Sequence, residues 1–367
     1  MNPTDSPQLR ANARHRHVAL CFLPQLLFVL LALGVFYRGY WLLLPVLLLQ
    51  FVVPLLDTIT GWQDDVHFEK TEFSRLEVFL LGWNSRLYVI LYLLSVLCIA
   101  KFLNHFTPAE KGFLLASSGL VGALAFSASH ELLHARDKID QILQRITTAF
   151  LFYPHYKLIH TQSHHAHVAT AEDKNTAWLD ENIYFYILRT IPQSMLRCWQ
   201  MEAARLDNRE LTRWSRISQN RMVAYAIGQG VLVLALYLFL GLAGLLFYLG
   251  HIIIAHTMLE SVNYIQHYGL LRKQREAEYE MTAAEHSWDS YHYFSSYVSF
   301  RVGHHSYHHL SSKPYYLLSP EPKAPKLPVG YFWAIAMVLV PPWWRVVMNP
   351  KIEPVNLVEA DVALRSS

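Results

Sequence analysis

His130-Glu131-Leu132-Leu133-His134 closes a long apolar segment of this chain, and two further histidine groups follow it, His160-Thr161-Gln162-Ser163-His164-His165 and His305-Ser306-Tyr307-His308-His309. Side chains three and four residues apart share one face of a helix, so each group is expected to direct its imidazoles to a common point. Imidazole nitrogens suit iron, zinc or copper, and this many of them imply more than one ion. We interpret the three groups as a site for two iron ions.

The composition indicates a membrane protein. Of the 367 residues, 53% are hydrophobic and only 16% are charged, which is more apolar side chain than a soluble domain buries. Apolar runs near the ~20 residues that cross a bilayer occur six times and pair through short turns. We predict an all-α integral membrane fold with six transmembrane helices in three hairpins, at residues 20–37, 41–56, 87–103, 113–129, 222–240 and 242–260.

Basic residues predict how these helices are oriented. Arginine and lysine are concentrated on the side that carries both termini and the segments after the fourth and sixth spans. Positively charged loops stay in the cytoplasm, so we expect a bacterial inner-membrane protein with both termini and the histidine groups on the cytoplasmic side. Residues 1–367 then form one domain, and residues 131–220 and 261–367 form a helical cytoplasmic cap that carries the histidines.

The same residues resemble the integral membrane alkane 1-monooxygenases and the xylene monooxygenase hydroxylases of the fatty acid desaturase-like superfamily. The likeness rests on the three histidine groups, on Asn263-Tyr264-Ile265-Gln266-His267-Tyr268-Gly269-Leu270 and on Ser287-Trp288-Asp289-Ser290. It implies a non-haem di-iron centre, with dioxygen as co-substrate. The ligands it implies are nine histidines: His130, His134, His160, His164, His165, His267, His305, His308 and His309. His267 enters this set through the resemblance alone.

Acidic residues near the histidines are candidates for a supporting role. A metal-ligating histidine usually donates its second ring N–H to a carboxylate or a carbonyl, which fixes the orientation of the ring. We expect this role for Glu131, Asp173, Glu260 and Asp289. Glu260 stands out because a carboxylate at the end of an apolar helix is costly unless it has a partner.

The resemblance implies a membrane enzyme that uses dioxygen to activate a C–H bond of a medium or long aliphatic chain, most simply by hydroxylating a hydrocarbon. The chain departs from the alkane hydroxylases beside the ligands, at Ile159, Ser163, Gln266 and residues 302–304. These departures leave open a relative that acts on fatty acids, by desaturation or by oxidative decarboxylation to a terminal alkene. Such an enzyme needs a cation for the carboxylate, for which Arg136, Lys138 and Lys157 are available.

The electrons must come from another protein. The sequence contains neither a Gly-rich dinucleotide motif nor a Cys-x-x-Cys pair, so a rubredoxin or ferredoxin-type donor with an NAD(P)H reductase is implied. The basic residues Arg205, Arg209, Arg213, Arg216 and Arg221 are a candidate dock for it, although they equally fit anchoring at lipid headgroups. No nucleic-acid partner is expected.

A non-catalytic membrane metal carrier is the alternative from a different class. A carrier would spread its histidines through the membrane spans as a path. Only His251 and His256 lie within a predicted span, so the pattern favours the enzyme.

Overall fold

The computed structural model describes residues 7–62, 68–207, 209, 211–275, 278–311 and 313–352. The described part is mainly helical. Its strands, Gln274–Arg275 (β1) and Glu278–Tyr279 (β2), form one small antiparallel pair. The α-helices are Pro7–Leu20 (α1), Leu26–Tyr37 (α2), Leu44–Leu47 (α3), Val53–Thr60 (α4), Arg75–Lys101 (α5), Pro108–His134 (α6), Lys138–Phe150 (α7), Tyr156–Ile159 (α8), His165–His167 (α9), Ile183–Asp207 (α10), Arg213–Gln219 (α11), Arg221–His267 (α12), Tyr293–Val298 (α13), His305–Leu310 (α14), Tyr331–Val338 (α15) and Pro341–Met348 (α16).

Several helices are long and apolar enough to cross a membrane, and the chain is a multi-pass membrane protein. Within the described residues the crossing-length stretches are Gln8–Tyr37, Gly39–Thr60, Arg75–Lys101, Pro108–His134 and Arg221–His267. The fifth and sixth predicted segments both lie in α12. Its 47 residues exceed what one crossing needs.

Gly241 divides α12 into two helical parts. Its φ of 72° and ψ of 177° lie outside the helical region, and the positive φ is one that glycine adopts at little cost. The chain direction therefore changes between the two apolar halves, at the position predicted as a turn.

The two central membrane helices begin at clear sequence signals. Ser74 caps α5, accepting from the Glu77 backbone N–H at 3.2 Å while the Glu77 carboxylate accepts from the Ser74 N–H at 2.7 Å. Thr107 and Glu110 make the same reciprocal pair at the start of α6. These capping boxes satisfy N–H groups that a helix start otherwise leaves unpaired. They place the start of α5 well before the predicted segment at residue 87.

Helix α6 is the core of the bundle and carries the first histidine group at its end. It packs against α5, α7 and α12. Gly119 and Gly122 let α12 approach closely, since a Cβ at Gly119 would lie 2.6 Å from the side chain of Ile254. This contact fixes the end of α6 relative to the end of α12, where His267 lies.

Candidate metal centre

The first histidine group lies on the last turn of α6. His130 and His134 are four residues apart, and their ring centroids are 5.1 Å apart. Both side chains are partly buried. The α-helical spacing brings them to one point, as the sequence predicted.

The second group is wound differently from an α-helix. Residues His160–His164 form a π-helical turn between α8 and α9. In this wider turn, residues four apart no longer share a face. His160 therefore faces His130 and His134, whereas His164 faces His267 and His309. The expectation that each group converges on one point is wrong for this group.

The third group is divided in the same way. On α14, His305 and His309 turn toward His164, and His308 turns toward His130. His267, at the end of α12, joins His305 with an Nε2–Nε2 distance of 3.1 Å. The second and third groups thus each contribute histidines to both clusters.

Two clusters of four histidines result, and in each cluster one ring nitrogen from every histidine lies within 4.8 Å of those of the other three. The first cluster is His130, His134, His160 and His308, and the second is His164, His267, His305 and His309. In the first cluster the Nε2 of His160 lies 2.9 Å from that of His130 and 3.2 Å from that of His134. The structure brings together all nine histidines implied by the resemblance, because His165 lies beside both clusters.

His165 lies between the clusters. Its Nε2 is 3.0 Å from that of His160 and 3.1 Å from that of His308. Its ring centroid is 4.7 Å from that of His309. His165 can thus reach a ligand position on either side.

Hydrogen bonding among the histidines alone does not explain this arrangement. A neutral imidazole has one donor and one acceptor nitrogen, yet the Nε2 of His160 meets three other Nε2 atoms, those of His130, His134 and His165. Burial lowers the pKa values of His160 and His308, and it lowers the pKa of His165 to about 3. The rings are therefore neutral, with lone pairs that converge, and a metal ion satisfies such a set.

Among the predicted acidic residues, Asp173 is the one with a hydrogen bond to an imidazole of the clusters in the described part of the chain. Its Oδ2 accepts from the Nδ1 of His164 at 2.8 Å, and both side chains are buried. Burial alone would raise the pKa of Asp173, but His164 lowers it below the usual value. The bond leaves Nε2 of His164 as the free nitrogen, and this nitrogen is directed into the second cluster.

The other three predicted carboxylates contact other groups. Glu131 accepts from the backbone N–H of Tyr315 at 3.2 Å. Asp289 accepts from the Ser306 backbone N–H at 2.8 Å and from the hydroxyl of Tyr291 at 2.6 Å. Glu260 is fully buried and accepts from Asn263 at 3.2 Å, while its Oε1 has no hydrogen-bond partner within the described part of the chain.

An open cavity, with about 800 Å³ of space when its open mouth is included, leads to both clusters. His130 and His160 of the first cluster line it together with His164 and His305 of the second. Most of its remaining wall is apolar, from helices α6, α12 and α15 and the π turn at Leu48–Val52, and includes Leu49, Leu120, Leu124, Met258, Phe332 and Ile335. This cavity can hold a long apolar molecule against the histidines.

Sequence reasoning missed the polar residues of the cavity wall. Asn263, Gln266 and Tyr331 line it close to the histidines. The helical period offered a signal for the first, because Asn263 lies one turn before His267 on α12. Tyr331 is about 20 residues beyond the third group, and no local pattern linked it to the centre.

Comparisons with known proteins agree with this geometry. A model of the fatty acid desaturase family matches residues 111–321, a segment that contains all nine histidines. The chain is 31% identical to alkane 1-monooxygenase 2 of Pseudomonas aeruginosa over 330 residues, which is 88% of this chain and 86% of that protein. It is 36% identical to an alkane 1-monooxygenase of Pseudomonas putida over 68% of this chain and 62% of that one. The hydroxylase component of a xylene/toluene monooxygenase from Pseudomonas putida is 26% identical over 66% of this chain and 64% of that protein.

Proposed function

This chain belongs to the fatty acid desaturase family as a relative of the alkane 1-monooxygenases, and from that premise we propose that it hydroxylates medium or long hydrocarbon chains with dioxygen. The observation that carries the proposal is the apolar cavity whose wall includes histidines of both clusters. A hydrocarbon from the bilayer would lie in this cavity with one carbon next to the centre. The similarity to the relatives supports the class of reaction, and the apolar cavity supports the class of substrate.

The proposed cofactor is a pair of iron ions. One would be held by His130, His134, His160 and His308, and the other by His164, His267, His305 and His309, with His165 as the ninth ligand. With electrons from the donor protein, such a centre would supply the dioxygen chemistry needed to remove hydrogen from an unactivated C–H bond.

The protein's own contribution is position and the exclusion of water. Leu120, Leu124 and Ile335 would hold the chain by apolar contact. Asp173 would hold His164 in one orientation through the bond to Nδ1. The other three predicted acidic residues would act less directly, by holding in place the segments that carry the ligands. These residues are Glu131, Glu260 and Asp289.

A second candidate function, on fatty acids, has less support. The described lining of the cavity contains no lysine or arginine. Arg136 and Lys138 are on the protein surface, and Lys157 is partly buried outside this lining. A carboxylate in the cavity would therefore lack the cation that burial of a charge requires.

The proposed topology has six crossings in three hairpins, with both termini and the cap on the cytoplasmic side of a bacterial inner membrane. It treats residues 1–367 as one domain, with spans at 20–37, 41–56, 87–103, 113–129, 222–240 and 242–260 and the cap at 131–220 and 261–367. The change of direction at Gly241 supports two crossings within α12. The distribution of basic residues supports the orientation.

The proposed electron donor is a rubredoxin or a ferredoxin-type protein, with its NAD(P)H reductase. The donor would approach where His134, His165 and His309 are partly exposed. Of the basic residues considered for docking, Arg205 and Arg221 are paired with Glu202, and Arg216 with Asp207. Among the described residues, Arg209 and Arg213 have no such acidic partner, so they are the better candidates for contact with the donor.

The test is product analysis with purified protein in lipid discs. With rubredoxin, reductase, NADH and oxygen, dodecane should give dodecanol, and the protein should contain two irons per chain. Replacing His164 with Ala should abolish turnover and reduce the iron content, whereas the exposed His105→Ala variant should retain both. Undecene from dodecanoic acid, with no dodecanol from dodecane, would instead favour decarboxylation.

A further inference from the structure

Helix α7 exposes apolar side chains and buries polar ones. An apolar stripe at helical spacing covers its outer face and consists of Ile139, Ile142 and Ile146, which are 48%, 55% and 49% exposed. The residues that the helix buries against the bundle are mostly polar, and they are Asp140, Gln144, Thr147, Thr148 and Phe150. An exposed apolar stripe of this kind marks contact with lipid or with another protein.

The helix runs back along the central membrane helices instead of away from them. It begins four residues after the end of α6 and packs against α6 and α5. Near its start, the Asp140 carboxylate accepts from the Arg86 guanidinium of α5 at 2.5 and 3.0 Å. At its end, the ring of Phe150 packs on Tyr92 of α5, with centroids 5.8 Å apart. Arg86 precedes the predicted span of α5 and Tyr92 lies inside it, so α7 advances toward the membrane interior.

The end of α7 also contacts side chains well inside the membrane part of α12. The Nε2 of Gln229 donates to the carbonyl oxygen of Ala149 at 2.9 Å, and the hydroxyl of Tyr248 donates to that of Phe150. Gln229 lies eight residues after the first residue of α12 and Tyr248 lies 19 residues before the last, about 12 and 28 Å along the helix. The end of α7 therefore lies at a depth between the two ends of the membrane segments of α12.

The backbone at the tip of α7, residues 147–151, is suited to a place without water. A helix end leaves its last four carbonyl groups without partners in the helix. Here the first three carbonyl oxygens of the tip accept from backbone N–H groups at 2.7–3.0 Å. That of Phe150 accepts from Tyr248, and that of Leu151 lies 2.7 Å from the Nε2 of His256. A helix end in hydrocarbon requires such partners, because no water is present to supply them.

Lipid is the occupant that fits the apolar stripe. Ile146, its innermost member, lines a groove together with Gly228 and Leu232 of the membrane helix α12. The same length of α12 exposes Ile227 and Val231, at 64% and 62%. The stripe is therefore continuous with the surface that α12 presents to the bilayer, where a water-soluble partner protein does not reach.

The charged residues of α7 are compatible with such a depth. Lys138 is the first residue of the helix, and Asp140 is paired with Arg86. Arg145 lies seven residues after Lys138 and therefore on the same flank, about 10 Å further along the helix and beside the apolar stripe. The long side chain of an arginine in this position can extend its guanidinium to the lipid headgroups.

We propose that residues 138–159 form a re-entrant element. Helix α7 enters the cytoplasmic leaflet beside α5 and α6, the chain turns at the tip, and it returns to the metal centre at His160, with lipid acyl chains against the apolar stripe. Three side chains of α12 hold the tip, and they are Gln229, Tyr248 and His256. The sequence alone assigned residues 131–220 to the cytoplasmic cap, and the re-entrant element places part of this range within the leaflet. The proposal rests on the membrane fold and does not depend on the reaction that the protein catalyses.

Spin labels test the depth of the apolar stripe in the full-length protein in phosphatidylcholine discs. In a variant whose native cysteines are replaced, nitroxides are attached at Ile142→Cys and Ile146→Cys. Their collisions with oxygen, which concentrates in lipid, are compared with their collisions with a nickel chelate, which stays in water. Ile227→Cys in α12 is the lipid control, and the exposed Ala171→Cys between α9 and α10 is the water control.

We expect both labels of the stripe to have an oxygen-to-nickel ratio near that of the lipid control, with the higher ratio at residue 146. Nickel collisions as frequent as in the water control would place the stripe in water and overturn the proposal. Few collisions with either probe would mean that a second copy or a partner protein covers the stripe, which would also overturn it. Turnover is not measured, so the outcome is independent of whether the protein hydroxylates hydrocarbons.

A second experiment tests how the tip is held. Tyr248→Phe keeps the ring but removes the hydrogen bond to the tip, so a label at Ile146→Cys should become more mobile. A label at Ile139→Cys, at the capped start of the helix, should not change. Tyr88→Phe is the matched control, since Tyr88 is also buried and its hydroxyl also donates to a backbone carbonyl, in another part of the bundle. Unchanged mobility at residue 146 in a double variant of Tyr248→Phe and Gln229→Leu would overturn the anchoring of the tip and the depth assigned to it.

Discussion

A single carboxylate decides how one histidine of the centre is presented. The side chain of Asp173 is 2% exposed and that of His164 is 3% exposed, so water does not compete for their hydrogen bond. Without this bond the imidazole of His164 could rotate or exchange its two nitrogens. The bond therefore fixes which nitrogen faces His267 and His309.

Replacing Asp173 with Ala should lower iron affinity and turnover about 10- to 100-fold, the range typical when a partner of a ligating histidine is removed. Iron per chain by mass spectrometry, together with dodecanol formation, measures this. Glu172→Ala is the control, since Glu172 is exposed and pairs with His167, outside both clusters. Equal iron content in the Asp173 and Glu172 variants would contradict the role of Asp173.

The residues show how far the sequence alone could predict the site. Spacing identified eight histidines, because a recurring side chain at helical intervals marks a face before any fold is known. It could not identify His267, which stands alone in sequence. Sequence reasoning singled out Glu260 among the carboxylates, whereas Asp173 is the one that accepts from an imidazole of the clusters, because position along the chain does not tell where a carboxylate points.

At the scale of elements, hydrogen bonds to Asp289, in the loop before α13, hold α14 in place. Asp289 accepts from the backbone N–H and the hydroxyl of Ser306, one residue after His305. This carboxylate therefore fixes the first turn of the helix that carries His305, His308 and His309. We expect Asp289 to position these histidines through the backbone of the first turn, without contact with their imidazole rings.

Asp289→Ala should lower iron occupancy of both clusters together, because α14 contributes to both. Asp289→Asn keeps an oxygen that can accept from the Ser306 N–H, so it should restore much of the iron content. If the negative charge of Asp289 were required instead, the Asn variant would lose iron as the Ala variant does. Iron content and the absorption of the iron-loaded protein are the measurements. An alanine variant with full iron content would show that α14 is held by other contacts.

Glu202 connects α10 to the start of α12. Its carboxylate accepts from the guanidinium groups of Arg205 and Arg221, at 2.8 and 2.5 Å, and from the Arg221 backbone N–H at 3.1 Å. Burial would raise the pKa of Glu202, but the hydrogen bonds from Arg221 and Arg205 lower it to about 2. This contribution to stability is present at neutral pH, above the unfolded-state pKa of about 4.3.

Glu202→Gln should lower the free energy of unfolding at pH 7 by about 2 kcal/mol, the scale of hydrogen bonds to a buried charge. Because the folded pKa is depressed, the parent loses this advantage as the pH falls from about 4.5 to about 2, and the two proteins should converge. Thermal unfolding midpoints at pH 7, 4.5 and 3 measure this. Asp207→Asn is the control. Asp207 pairs with Arg216 on the protein surface, where an ion pair contributes little to stability, so this variant should change the unfolding midpoints little.

Two elements show why the fold was only partly predictable. Apolar runs identified the membrane helices, because their composition is fixed by the solvent they meet. The π turn at His160–His164 carries no such mark. In this turn His160 and His164 face different clusters. Spacing in the sequence could therefore predict that these histidines, His267 excepted, come together, but not their division into two clusters.

For the whole molecule, the proposed orientation can be tested with single cysteines. In a variant whose native cysteines are replaced, Asn104→Cys lies in the turn between α5 and α6 and should face the periplasm. Lys174→Cys lies in the segment between α9 and α10 and should face the cytoplasm. A membrane-impermeant maleimide added to intact spheroplasts should label only the first, and lysis should expose the second. Labelling of Lys174→Cys in intact cells would reverse the proposed topology.

The extent of the cavity along α6 leads to a prediction about the preferred length of the substrate. Leu120 and His130 lie on the same helix, and both line the cavity. Because ten residues of α-helix span about 15 Å, the cavity wall extends about that far from the metal centre toward the membrane interior. Leu120→Trp should shorten the space available to the substrate. The preference between octane and hexadecane in competition should therefore shift to octane, as measured by gas chromatography of the alcohols. Phe113→Trp, on the same helix but packed in a separate apolar cluster, should leave the preference unchanged. An unaltered preference in a Leu120→Trp protein with full iron content would mean that the substrate takes another path.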